Sequence, residues 1–194
     1  MKLKCILSLI FSILLFSPLF SEDEKPIMEA TIGLGYGFYV GSFLDHLNKD
    51  GAYTSTPTLD SYFASYITPF LGFQFQIGCG SVIHPLSEPM EGVILYMGLG
   101  PFINLNLKKV YIKTWVDAGF QFPTMSLQWY GSGFLEIGSG FGLNLNKSNS
   151  LVLSLKYRTQ FLRSIIISKM YDSIDENDNL SSITLSFGWS TRLY

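Results

Sequence analysis

From Met28 to the C-terminus the chain alternates apolar and polar residues with a period of two, in runs of about a dozen residues. Side chains on a strand point alternately to its two faces, so each run reads as a strand with one apolar and one polar face. The clearest is Val110–Phe122, where Val110, Ile112, Thr114, Val116, Ala118, Phe120 and Phe122 alternate with Tyr111, Lys113, Trp115, Asp117, Gly119 and Gln121. The same pattern marks residues 28–43, 70–83, 93–107, 134–146, 150–162 and 182–193, and more weakly 59–67. Runs of this length exceed the roughly 9–11 residues that a tilted membrane strand needs.

The links between runs alternate in length. Long polar links fall near 44–58, 84–92, 123–133 and 166–180, and short ones at 68–69, 108–109 and 147–149. Eight strands joined this way put both chain ends on the short-turn side, the topology of an outer-membrane barrel with short periplasmic turns and longer external loops. The expected fold is therefore all-β, an eight-stranded antiparallel up-and-down transmembrane β-barrel.

Alternation does not by itself say which face is inside, and a secreted lipocalin-like barrel would alternate too. Composition decides against it. The chain is 47% apolar and only 14% charged, against about 25% charged in typical soluble domains. The polar phase is mostly Gly, Ser, Thr, Asn and Gln, too few charges for an exterior in water. Fifteen of the 18 glycines share that phase, Gly138, Gly140 and Gly142 among them. Gly138–Gly142 precedes no helix, so it is no phosphate loop. Inward glycines instead leave room in a narrow lumen for large neighbours, here Tyr39, Tyr96, Phe102 and Trp115.

The start of the chain has the layout of an export signal: Lys2 and Lys4, an apolar run from Cys5 to Phe16, then Ser17, Pro18 and Ser21 before Glu22-Asp23-Glu24-Lys25. Residues 1–21 are expected to be removed, leaving 22–194 as one barrel domain. Cys5 precedes the apolar run, which argues against lipid attachment. Of 13 basic and 15 acidic residues, cleavage removes two basic ones, leaving a net charge of −4. That excludes nucleic acid as an expected partner. Cys79 becomes the sole cysteine, so no intrachain disulfide forms.

A polar face turned inward must pair its charges, because an isolated buried charge is costly. The expected lumen set is Glu29, Lys113, Asp117, Glu136, Lys156, Arg158 and Arg192. Glu29 opens the first strand and Arg192 closes the last, so barrel closure makes them the favoured ion pair. Asp117, Glu136, Lys156 and Arg158 come from three successive strands and are expected to form a second cluster. A fixed polar plug is favoured over a gate, since eight strands enclose only enough space for side chains.

The last run carries Ile183, Leu185, Phe187, Trp189 and Leu193 on its apolar phase and ends at Tyr194. Here the chain resembles the small eight-stranded outer-membrane families, the OmpA-domain, OmpX-like and OmpW-like barrels, in architecture over residues 28–194 and in its end chemistry. The resemblance implies that Phe187, Trp189, Leu193 and Tyr194 form the signal read by the barrel assembly machinery, although Tyr194 is one step out of phase. It implies outer-membrane lipid as surroundings, and an extracellular ligand reached through the loops.

No catalytic, cofactor or metal site is expected. His84, Ser87 and Glu88 have the residue types of a lipid A-modifying hydrolase, but they share one proline-flanked loop. His46 is the other histidine, also in a long link. The acids of 171–179 lack the spacing of a calcium loop. Phe43, Phe120, Phe122, Trp129, Tyr130 and Phe161 are expected to form an outer aromatic belt. The expected role is a non-enzymatic structural or surface-interaction barrel, with a narrow channel for small or apolar solutes as the alternative.

Overall fold

The computed structural model describes residues 26–40, 55–82, 92–125, 128–129, 132–161 and 179–194. They form nine strands: β1 (Met28–Val40), β2 (Ser55–Thr68), β3 (Leu71–Val82), β4 (Gly92–Leu107), β5 (Val110–Met125), β6 (Gln128–Trp129), β7 (Ser132–Asn144), β8 (Asn149–Phe161) and β9 (Asn179–Leu193). Eight are long and make the wall. The two-residue β6 pairs only with the end of β5, through Thr124 with Trp129 and Met125 with Gln128. Every pairing is antiparallel between sequence neighbours, with β5 followed by β7 in the wall. One ladder between strands distant in sequence closes the sheet on itself: β1 with β9, from Met28–Leu193 to Val40–Ser181. A closed wall leaves no long edge with unpaired backbone groups, the condition for a sheet to sit in hydrocarbon. Among the described residues no helix is long and apolar enough to cross a membrane.

Several linker boundaries differ from the sequence expectation, by one to four residues, Gly92, residues 132–133 and residues 179–180 also lying in strands. Residues 55–58 belong to β2 rather than to the first long link, and Pro123–Met125 continue β5. The weak pattern in 59–67 has a physical cause. The inward residues of β2 include Tyr62, Ala64 and Tyr66, while Ser61 and Ser65 interrupt the outward Leu59, Phe63 and Ile67, so the hydropathy contrast between the faces is weakened. Register restores the strand: ten consecutive residues from Glu29 to Phe38 pair with Ala64 back to Ser55. The signal segment 1–21, the histidines, Ser87, Glu88, Phe43, Tyr130 and residues 171–178 lie outside the described residues.

The short turns are built locally. Lys108, between β4 and β5, takes a left-handed φ of 65°. Asn146 caps the β7–β8 turn, its Oδ1 accepting from the backbone N–H of Ser148 at 2.9 Å and of Asn149 at 2.8 Å. Asn144 ties these two turns together, donating from Nδ2 to the Lys108 carbonyl at 2.7 Å and from its backbone N–H to the Lys109 carbonyl at 2.8 Å.

Candidate functional site: the lumen

The two faces of the wall are chemically inverted relative to a protein in water. Leu34 is 69% exposed and Leu193 62%, and the outward phase of every long strand carries exposed Leu, Ile, Phe or Val side chains. Glu136 and Asp117, by contrast, are 0% exposed. Four acids and four bases lie inside: Glu29, Asp60, Asp117 and Glu136 with Lys113, Lys156, Arg158 and Arg192. The other charged side chains among the described residues are lysines of the short turns. The single cysteine of the wall, Cys79, is half-buried.

Toward the short-turn end, Glu29 is the hub. Its Oε2 accepts from Arg192 Nε at 2.8 Å and from the Tyr66 hydroxyl at 2.9 Å, and its Oε1 faces Lys113 Nζ at 3.0 Å. Glu29 and Arg192 are direct partners across the β1–β9 seam, whereas Lys113 reaches across the lumen from β5. Arg192 lies 4.0 Å from the Tyr111 ring centroid and Lys113 4.3 Å from that of Phe102, so the apolar sides of both cations are also covered.

A second level lies further along the strands. Arg158 donates to Glu136 Oε2 from Nε at 3.0 Å and from Nη2 at 2.6 Å, and Trp115 Nε1 donates to Glu136 Oε1 at 3.1 Å. The guanidinium lies 3.8 Å from the Tyr96 ring centroid and 4.5 Å from that of Phe134. Lys156 and the Tyr96 hydroxyl both bond to Asp60. The structure thus divides the expected cluster of Asp117, Glu136, Lys156 and Arg158. Glu136 and Arg158, which face each other in the β7–β8 ladder, form one pair. Lys156 instead crosses the lumen to Asp60 of β2. Asp117 accepts from Gln74 Nε2 at 2.9 Å, and its other oxygen has no hydrogen-bond partner. Asp60 is the residue the sequence reading lacks, hidden by the poor contrast of β2; its place in the phase of Tyr62, Ala64 and Tyr66 is the signal that finds it.

Glycines set the room for this network. Tyr111, Trp115, Tyr96, Phe102 and Phe134 each face a glycine directly across the ladder: Gly142, Gly138, Gly78, Gly72 and Gly119. A Cβ on Gly142 would stand 1.9 Å from the Tyr111 ring, and one on Gly138 would stand 2.3 Å from Trp115. The ring occupies the volume its partner lacks, a cross-strand packing that also lets Tyr96 lean over Gly78 to Asp60. Of the expected filling residues, Tyr96, Phe102 and Trp115 are buried in this way; the side chain of Tyr39 lies outside the described ones.

Two small cavities open among the described residues. One cavity of about 20 Å³ is lined by Thr56, Thr58, Tyr96, Lys156, Arg158 and Thr184. Another, of about 30 Å³, lies among Glu29, Thr31, Tyr62, Lys113 and Ser154. Volumes of this size admit one or two waters each. The second offers hydration to the buried Tyr62 hydroxyl, which has no hydrogen-bond partner.

At the chain end, Phe187, Trp189 and Leu193 point outward, 57%, 46% and 62% exposed. Tyr194 lies one residue beyond β9, so the strand alternation no longer dictates its direction. Its hydroxyl donates to the Lys147 carbonyl at 2.7 Å, and Lys147 Nζ lies 5.4 Å from its ring centroid. Of the expected aromatic belt, Phe120 is 62% exposed and Phe122 is half-buried. Among the described residues no group of three or more His, Cys, Asp or Glu is placed to hold a metal ion.

A closed eight-stranded antiparallel wall, apolar outside and ion-paired inside, defines a transmembrane β-barrel of the outer-membrane class. Among solved structures, the chain is similar to Neisserial surface protein A, with a TM-score of 0.60 and 10% identity over 86% of this chain and 97% of that one. It is likewise similar to Ail, the attachment invasion locus protein of Yersinia pestis, in complex with the heparin analogue sucrose octasulfate, with a TM-score of 0.55, 15% identity, and 88% and 100% of the two chains covered. A third is the outer membrane protein OprG from Pseudomonas aeruginosa, with a TM-score of 0.54, 10% identity, and 88% and 98% covered. No protein-family model and no curated protein matches the chain.

Proposed function

We propose that this protein is an exported, non-enzymatic outer-membrane barrel whose wall is a rigid, plugged scaffold and whose external loops carry the interaction. The observation that supports it best is the double cross-brace. Lys113 to Glu29 and Lys156 to Asp60 each tie opposite sides of the lumen together, at two levels, with Arg192 and Arg158 completing the pairs. Buried pairs of this kind are costly to open, because each separated charge would be left in a low-dielectric interior. The cavities beside them have room for water-sized particles alone.

Exposed loops on a rigid scaffold are where binding residues concentrate, and the names of two similar barrels, a surface protein and an attachment protein, agree with a surface role. The polyanion seen with Ail does not suit this chain. The four long links together hold eight acids, among them Asp172, Asp175, Glu176 and Asp178, against the bases Lys49 and Lys169, with Arg163 just before the last link. A partner for that surface is cationic or neutral.

Recording from purified protein in a planar bilayer tests the plug. The expected result is no conductance above that of the bare membrane; steady unitary steps from the unmodified protein would favour the narrow-channel alternative and refute the plug.

A further inference from the structure

Tyr111 of β5 reaches across two neighbouring strands. Its ring lies over Gly142 of β7, and its hydroxyl comes beside the Ser190 hydroxyl and the Arg192 guanidinium of β9. Arg192 also covers the ring face, at 4.0 Å from its centroid. All three residues are buried, and the Tyr111 hydroxyl, Ser190 Oγ and Arg192 Nη2 have no hydrogen-bond partner. They are neighbours, yet none is aligned to bond another. Buried polar groups are rarely left unmet, and three in one place share an explanation.

The chemistry of the place is one-sided. Arginine nitrogens only donate, and the side-chain acceptors that Arg192 does reach are already shared. Glu29 accepts from Arg192 Nε, from the Tyr66 hydroxyl and from Lys113, and Asn144 Oδ1 accepts from Arg192 Nη1 at 3.2 Å and from the Ser150 hydroxyl at 2.8 Å. Two cations share the one carboxylate of Glu29. Room adjoins them. The cavity of about 30 Å³ is lined by Glu29, Lys113 and Tyr111, and by Thr31, which pairs with Ser190 across the seam. Gly140 lines it too, and a Cβ there would meet nothing closer than 3.4 Å, unlike the glycines beneath the rings. That volume exceeds what a single water needs, and a halide ion is little larger than a water.

We propose that Tyr111, Ser190 and Arg192, with Lys113 beside them, form an internal site for one small monovalent anion of the halide class. An anion accepts at every contact and donates at none, so it meets the hydroxyl and guanidinium donors together. A water would bring two more donors to a place already rich in them. The charge of the anion also balances the second cation at Glu29, an attraction that burial away from water strengthens. The bound ion is a resident part of the lumen packing, not a permeating one.

The test uses the full mature chain folded in lipid vesicles, with urea midpoints measured in sodium bromide and in sodium gluconate at equal ionic strength. Screening is then the same in both salts, and gluconate is too large for the cavity. For a site half filled at about 50 mM, about 0.5 M bromide raises the folding equilibrium about elevenfold, a midpoint shift of about 0.7 M at an ordinary urea slope. Tyr111→Phe with Ser190→Ala removes two of the donors and keeps every ion pair, and the two salts should then give one midpoint. A heat-dependent gel shift verifies that the variant is folded. Ser190→Ala alone, which deletes a single oxygen, should reduce the shift and serves where the double change does not fold. Equal midpoints in the two salts for the unmodified protein would overturn the proposal and leave the place to water. A bromide shift of full size in the variants would overturn it as well, by showing that the ion acts elsewhere. Neither result bears on the plug, which the bilayer recording reads separately.

Discussion

Glu29→Gln keeps the shape of the side chain and removes the one charge shared by Lys113 and Arg192. Breaking a buried pair by removing one partner typically costs about 3–5 kcal/mol, because the other charge stays behind unpaired. Two cations are stranded here, but each keeps some cover. The glutamine oxygen still accepts one hydrogen bond, Arg192 keeps the Tyr111 ring at 4.0 Å, and Lys113 keeps the Phe102 ring at 4.3 Å. The lower end of the range, about 3 kcal/mol, is therefore expected, roughly a 150-fold change in the folding equilibrium at 1.4 kcal/mol per decade. Urea unfolding from lipid vesicles, followed by the heat-dependent gel shift, reads this as a midpoint drop of about 1.5 M for a slope near 2 kcal/mol/M. Adding Lys113→Met and Arg192→Met to the same chain removes the stranded charges, and at least half of the loss should return. A midpoint within about 0.3 M of the unmodified protein for Glu29→Gln alone would refute the hub argument.

The ring-over-glycine packing makes a coupled prediction. Gly142→Ala should destabilise by about 2 kcal/mol through overpacking against Tyr111, and by much less in a Tyr111→Ala background; equal costs in the two backgrounds, measured by the same unfolding assay, would show that the contact does not set the strain. The two facing acids of β5 and β7 should respond in opposite ways. Asp117, with Gln74 as its hydrogen-bond partner and Glu136 opposite it in the ladder, should accept Asn with an unchanged or raised midpoint, whereas Glu136→Gln strands Arg158 and should lose about 3 kcal/mol. A loss above about 1 kcal/mol for Asp117→Asn would mean that its carboxylate is held by a cation.

The wall was legible residue by residue because a strand has only two faces and a closed barrel gives them opposite solvents. Period-two runs, alternating link lengths and the polar-phase glycines were enough to specify eight antiparallel strands, and the seam between the first and last placed Glu29 beside Arg192. β2 was less legible because Tyr62, Ala64 and Tyr66 inside and Ser61 and Ser65 outside weaken the contrast between its faces, and Ser55-Thr56-Pro57-Thr58 carries no alternation at all. What only the tertiary structure decided is who meets whom across the lumen. Lys113 to Glu29 and Lys156 to Asp60 depend on strand register and on the angular position of each strand around the barrel, and neither is written in a local pattern. The meeting of two short turns is of the same kind: the β4–β5 and β7–β8 turns, far apart in sequence, come together because β5 and β7 are neighbours and Asn144 joins them.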